Sequence, residues 1–384
     1  MKKYNHKALY LNELYHFLKG NIFWKPINKI IYPAIFALVF LILFSFSCKN
    51  KPKPSKNLVT PVTNTSLPYN HIVIVVEENK YYGQIIPNKE MSSLDSLDLV
   101  DNKAPYINKI LKKEGANFTN MYAEEHFSEG NYFWLFSGGN QCIGFVDKIP
   151  DNNTPNYPFK SNNLAAQLIA NGLSFKGYAE SLPSIGFKGN SNGPYVRKHV
   201  PWISFANIPN GTTFATSVNV RFKDFPKDTS NFKNLPTVSI IVPNLNNDMH
   251  DGSITIGDTW LKTNLDKYYQ WAKKHNSLLI LTFDESSDSS GMTGLTNPDI
   301  NPDSCSDMEK NSCLDKQNKI VTIFAGAHII PGNYPEGKGI NHVNILRTIE
   351  HLYGLSKAGQ QQKNAATYGI TDNYIITDVF DKKF

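Results

Sequence analysis

The runs HIVIVVEEN (residues 71–79) and LLILTFDES (residues 278–286) decide how this chain folds. Each is a stretch of apolar, β-branched-rich residues too short for a buried helix. Each has the continuous hydrophobicity of a strand covered on both faces, as in a parallel sheet. Each also ends in adjacent oxygen ligands, Glu78 and Asn79 in the first and Asp284 and Glu285 in the second. In open α/β sheets the functional crevice lies beyond the carboxyl ends of the strands. Carboxylates beside hydrocarbon are unstable there unless a cation neutralises them.

Outward from these runs the pattern alternates strand and helix. Pro105–Glu114 puts Ile107, Ile110 and Leu111 on one helical face and stops at Gly115. Phe118–Tyr122 reads as a strand, NYFWLFSGG as an aromatic helix, Leu164–Asn171 as a helix and Ser174–Ala179 as a strand. VSIIVP and IVTIFAG add strands, and Thr259–His275 and Val343–Tyr353 add helices. The fold expected is α/β, a mostly parallel central sheet with helices on both faces. Residues 181–234, rich in Gly, Pro and Asn with scattered aromatics, read as an irregular insertion or lid.

The net charge of +6 belongs to one end of the chain. Residues 1–57 carry ten lysines and one acid, which leaves 29 basic and 32 acidic residues elsewhere, so a nucleic-acid surface is not indicated. The lysine-bearing start runs into IIYPAIFALVFLILFSF and then Ser47 and Cys48, an export-signal pattern. Two readings stay open: Cys48 as the lipidated first residue of a lipoprotein, or an uncleaved membrane anchor. The domains expected are a signal or anchor at 1–47, a Lys/Pro/Ser tether at 48–68 and a catalytic domain at 69–384. Either way the protein is exported and held at a membrane by its N-terminal lipid or anchor. Cys305 and Cys313, in an acidic loop, are positioned to pair, which leaves Cys142 over.

Ser128 is the candidate nucleophile. It stands just ahead of Asn131, where the helix is expected to begin and where first-turn N–H groups suit an anion. Its plain alternative role is the helix N-cap. Asp248 and His250, in NDMHDGS after VSIIVP, open on the same sheet edge and suit metal, phosphate or proton transfer. His199 and His342 are weaker candidates, and His342, at a helix start, could contact phosphate.

Together these segments resemble the phosphoesterase family of acid phosphatases and phosphatidylcholine-type phospholipases C, from about His71 to Leu355. The markers are Glu78-Asn79, the stretch His126, Ser128, Asn131, Tyr132, then LFSGG, YAESLP, KHVPW, VPNLNNDMHDG with GDTWL, TFDE and NHVNILRTIE. The resemblance implies an alkaline-phosphatase-like core and a metal-dependent phosphomonoester hydrolase working through a phosphoserine. It implies one divalent ion (Mg, Mn, Ca or Zn) held by Glu78, Asn79, Ser128, Asp284 and Glu285. It also implies Ser128 as attacking group, with His199 and His250 at the phosphate. Asn131, His126 and His342 complete the set as substrate-binding residues. The substrate expected is a small phosphomonoester or a phospholipid-derived ester. Two alternatives are a phospholipase C-type phosphodiesterase and a non-catalytic surface lipoprotein that binds through the aromatics of 181–234. Where the family has Pro and Leu-Pro around the nucleophile, this chain has Phe127, Glu129 and Gly130, and Glu129 adds charge beside an anionic substrate.

Overall fold

In a computed structural model the described residues are 67–87, 103–143, 147–286, 318–337, 339–359 and 374–383. The N-terminal apolar run, Cys48 and the loop with Cys305 and Cys313 lie outside them. In chain order the elements are β1 (His71–Glu77), β2 (Ala116–Phe118), α1 (Ser128–Ser137), α2 (Leu164–Ala170) and β3 (Phe175–Ala179). Then come β4 (Ser191–Asn192), β5 (Tyr195–Val196), β6 (Asn219–Arg221), β7 (Val238–Val242) and α3 (Ile254–Ala272). The last are β8 (Ser277–Phe283), β9 (Thr322–Gly326), β10 (Gly332–Tyr334) and α4 (His342–Leu352).

The main sheet runs β10-β2-β9-β8-β1-β7-β3-β6. The five strands from β8 to β6 are mutually parallel. Every residue of β1 and β8 is buried, so both faces of the sheet are covered there, which is why the sequence shows no polar alternation. The parallel pattern ends at β9, which lies antiparallel to β8 and to β2. The IVTIFAG run reads as an equivalent apolar strand, and nothing in its composition signals the reversal.

Residues 181–234 form only short strands and 3-10 turns among irregular segments, and much of their aromatic content is packed into the protein. Tyr195, Trp202, Phe205, Phe222, Phe225 and Phe232 are buried, and β6 extends the main sheet beside β3. Trp202 lies directly over Gly177 of β3, where a Cβ would come within 2.1 Å of the indole. A glycine inside a strand here marks a close approach. The aromatic platform of the surface-binding alternative is thus largely core. Cys142 is disulfide-bonded, which corrects the reading that leaves it over.

Candidate active site

Because β1, β7 and β8 are adjacent and parallel, the segments that follow them emerge on one edge of the sheet. They are bonded to each other directly. Glu78 N–H donates to Asp248 O at 2.7 Å, Asp284 N–H to Glu77 O at 2.9 Å, and Asn79 N–H to Asp284 Oδ1 at 3.0 Å. Asn79 takes a left-handed conformation, φ 48°, which asparagine tolerates better than most residues.

The helix α1 enters the same crevice. Its N-cap is Phe127, and Ser128 is its first helical residue. The helix therefore begins three residues before Asn131, and Ser128 is not the cap. The Ser128 hydroxyl is buried and lies 3.2 Å from Glu78 Oε2 and 3.1 Å from Glu285 Oε1. The other oxygen of Glu285 meets His126 Nδ1 at 2.5 Å, and the other oxygen of Glu78 accepts from Tyr132 O–H. Two carboxylates thus face one hydroxyl, each oriented from behind by a ring.

His199 closes the far side. Its ring is buried and stacked on Tyr132, with centroids 5.1 Å apart. Its Nε2 lies 3.3 Å from Glu78 Oε1 and its Nδ1 3.7 Å from Asp248 Oδ2. Ligand atoms of Glu78, His199 and Asp248 all fall within 4.8 Å of one another, a group that could hold a metal ion. Both ring nitrogens of His199, Asp248 Oδ2 and Asp284 Oδ2 are buried without hydrogen-bond partners, and a cation would satisfy one of those nitrogens and the carboxylate oxygens. Burial also drives the His199 pKa well below its ordinary value, helped by Lys198 and His250. A neutral imidazole is a metal ligand and a poor anion binder, and these contacts set His199 beside the carboxylates of Glu78 and Asp248. Among the acids, burial raises Glu78 well above the carboxylate range, with Asp284 and Asp248 adding to it. Burial likewise raises Asp248 to about 8 and Glu285 to about 7. Charges of one sign crowded out of water hold protons until a cation replaces them.

The remaining candidates divide. His250 stands at the rim, its Nδ1 2.7 Å from Asp251 Oδ1 and its ring 6.2 Å from that of His199. Asn131 and His342 are both buried and hydrogen-bonded within the protein. Asn131 Oδ1 accepts from the N–H groups of Glu124 and Glu125, both at 3.1 Å, and its Nδ2 donates to Glu125 O at 2.6 Å. That staple shapes the loop before Ser128. His342 is buried, with Nδ1 2.5 Å from Glu124 Oε2 and Nε2 2.7 Å from Phe283 O, just ahead of Asp284. His126 contacts Glu285, an orienting position. Glu129 is buried too, and burial with Asp147 nearby pushes its carboxyl up to about 9. It therefore holds its proton at neutral pH and brings no negative charge to the crevice, contrary to the expectation from sequence. Sequence reasoning gave no role to Tyr132 or Lys80, and it named Asp248 as a possible metal or phosphate contact outside the ligand set that the resemblance implies. An aromatic helix and an isolated lysine carry no local mark of what they face.

The phosphoesterase family model matches residues 87–356, which include Ser128, Asp248, Asp284 and Glu285 but not Glu78 or Asn79. A phosphatidylinositol-3-phosphatase of Mycobacterium tuberculosis is 40% identical over 289 residues, 75% of this chain and 78% of its own. An acid phosphatase of Aspergillus fumigatus is 31% identical over 304 residues, 74% of this chain and 60% of its own. Among solved structures, an alkaline phosphatase superfamily protein of Vibrio parahaemolyticus is 14% identical, with TM-score 0.46, over 76% of this chain and 70% of that one. The chain belongs to the phosphoesterase family and is a phosphoric ester hydrolase acting on phosphate esters.

Proposed function

We propose that this hydrolase is a phosphomonoesterase of acid-phosphatase type with Ser128 as nucleophile. The observation that carries the reading is the buried Ser128 hydroxyl within hydrogen-bond reach of two carboxylates, at the first turn of a helix. A serine hydroxyl is a weak nucleophile until a neighbouring group takes its proton. Glu285, oriented by His126 and with its pKa raised to about 7, is placed to do so. Ser128 Oγ bonds to phosphorus as the ester P–O bond breaks, and His250 at the rim gives the departing alcohol its proton. Water then attacks the phosphoserine and passes one proton to His250, and Oγ leaves, recovering its proton from Glu285.

The ligand atoms of Glu78, His199 and Asp248 fit one divalent cation, with the unpartnered Asp284 Oδ2 adjoining. Mixed carboxylate and imidazole donors suit Zn or Mn better than Mg or Ca, which prefer all-oxygen sites. Such an ion, when bound, lowers the pKa of a nearby hydroxyl and neutralises phosphoryl oxygens. The relative at 40% identity is named for removing phosphate from a phosphoinositide, and the fungal relatives are named acid phosphatases. Both favour a monoester over the phospholipase C-type diester. From the leader we further propose that the enzyme is exported and held outside the cytoplasm through Cys48.

The test is phosphate release by purified wild type and Ser128→Ala from p-nitrophenyl phosphate and bis-p-nitrophenyl phosphate, with EDTA and with each of the four ions restored. The alanine variant should keep its melting temperature within a few degrees and lose on the order of 10³-fold or more in kcat. A folded alanine variant with near-normal turnover removes Ser128 from the chemistry. Faster diester than monoester cleavage reverses the substrate assignment.

A further inference from the structure

One cation bridges the two loops that carry the site. Lys80 is half-buried, and its Nζ donates to Asn79 O at 3.0 Å and to Met249 O at 2.7 Å. Both carbonyls belong to non-glycine residues in the left-handed region, Asn79 at φ 48° and Met249 at φ 75°. Asparagine tolerates that region; methionine is seldom found there. The Met249 turn is nonetheless held firmly. Its side chain is fully buried against Gly257 of α3, where a Cβ would come within 2.4 Å of Met249 Cγ. On either side of it, His250 N–H donates to Asp248 Oδ1 at 2.8 Å, and Asp248 O accepts from Glu78 N–H at 2.7 Å. Strained residues that persist are over-determined by their surroundings and concentrate at functional sites.

Lys80 lies in the field of Asp284, Asp248, Glu78 and Glu77, yet among the described residues its hydrogen bonds go to main-chain carbonyls. An ammonium used only to neutralise the acids would donate to them. This one donates to the two turns that aim them. We infer that Lys80 is a positioning residue, whose ammonium locks the Asn79 and Met249 turns together and so sets Glu78 against Asp248 and His199. It touches no reacting atom. The inference rests on the reading of Glu78, Asp248 and His199 as cation ligands.

The sign of one measurement separates positioning from simple charge. Removing a positive charge beside acids would by itself tighten cation binding; releasing the turns would weaken it. The full chain carrying Lys80→Met or Lys80→Arg is titrated with Mn²⁺ by calorimetry, with kcat/KM on p-nitrophenyl phosphate and melting temperature alongside. Lys80→Met should weaken Mn²⁺ binding and lower kcat/KM by about 10–100-fold each, as loss of an outer partner of a metal site does. Lys80→Arg, which can donate to both carbonyls, should recover most of both. Unchanged or tighter Mn²⁺ binding by Lys80→Met overturns the inference, as does an arginine variant no better than methionine. Should the wild type bind no Mn²⁺, the cation reading fails by itself. Lys80 is then decided by kcat/KM, and a methionine variant as fast as wild type overturns its role.

Discussion

Replacing Gly130 by alanine tests how the loop before the nucleophile is built. An alanine Cβ at 130 would stand 1.4 Å from Glu125 Oε1, 2.5 Å from its Cδ and 3.1 Å from its Cγ. Turning the carboxylate does not clear the Cδ, so the whole side chain must leave. Glu125 is fully buried, and its Oε2 accepts from Asn140 Nδ2 at 3.0 Å. Overpacking costs about 1–3 kcal/mol, and the lost hydrogen bond about 1 kcal/mol. Alanine's advantage over glycine within a helix returns about 0.5–1 kcal/mol. The net destabilisation is about 1–3.5 kcal/mol, a fall in melting temperature of roughly 2–14 °C at about 2–4 °C per kcal/mol. Activity should fall further than stability. Ser128 lies two residues away on the same turn, and a displacement of about 1 Å at a reacting group costs on the order of 10²-fold. Thermal denaturation and phosphate release measure the two effects separately. In Glu125→Ala/Gly130→Ala the methyl group has room, so the double variant should lose less than the sum of the single losses. Wild-type stability and turnover in Gly130→Ala would show that Glu125 does not occupy that space, and additive losses would show that the two residues do not meet.

Gly177→Ala should destabilise more, by about 3 kcal/mol or above, because the added Cβ meets the rigid ring of buried Trp202; denaturant unfolding reads it, and a shift under 1 kcal/mol would contradict the packing. Burial raises Glu125 from 4.5 to about 8, so the native state keeps a proton that the unfolded chain releases. Its contribution is therefore fully present below about pH 4.5 and is lost as pH rises to about 8. Glu125→Gln should flatten that decline in melting temperature, measured in EDTA; an unchanged slope would assign it to other groups. Cys48→Ser should leave an unprocessed precursor that takes up no labelled fatty acid; normal processing and anchoring of that variant would refute the lipoprotein reading, and an intact wild-type precursor still carrying the apolar run would point to a transmembrane anchor.

The sequence alone determined the strands and the edge on which chemistry gathers. A short apolar run rich in β-branched residues with no polar alternation reads as a strand covered on both faces, and β1 and β8 are buried throughout. Parallel neighbours place their carboxyl ends together, so Glu78 and Asp284 had to be near one another. Individual roles were decided only by tertiary structure, because a polar side chain's task depends on partners distant in the chain. Asn131 and His342 have the residue types of substrate contacts, but the loop at Glu124 and Glu125 and the carbonyl of Phe283 use them within the fold. Ser128 reads locally as a cap, and what faces its hydroxyl is two carboxylates from β1 and β8. Glu129 reads as a charge, and burial keeps it protonated. His199 meets Glu78 and Asp248 because an irregular segment folds back over α1 and the strand ends, a return path that no periodicity encodes.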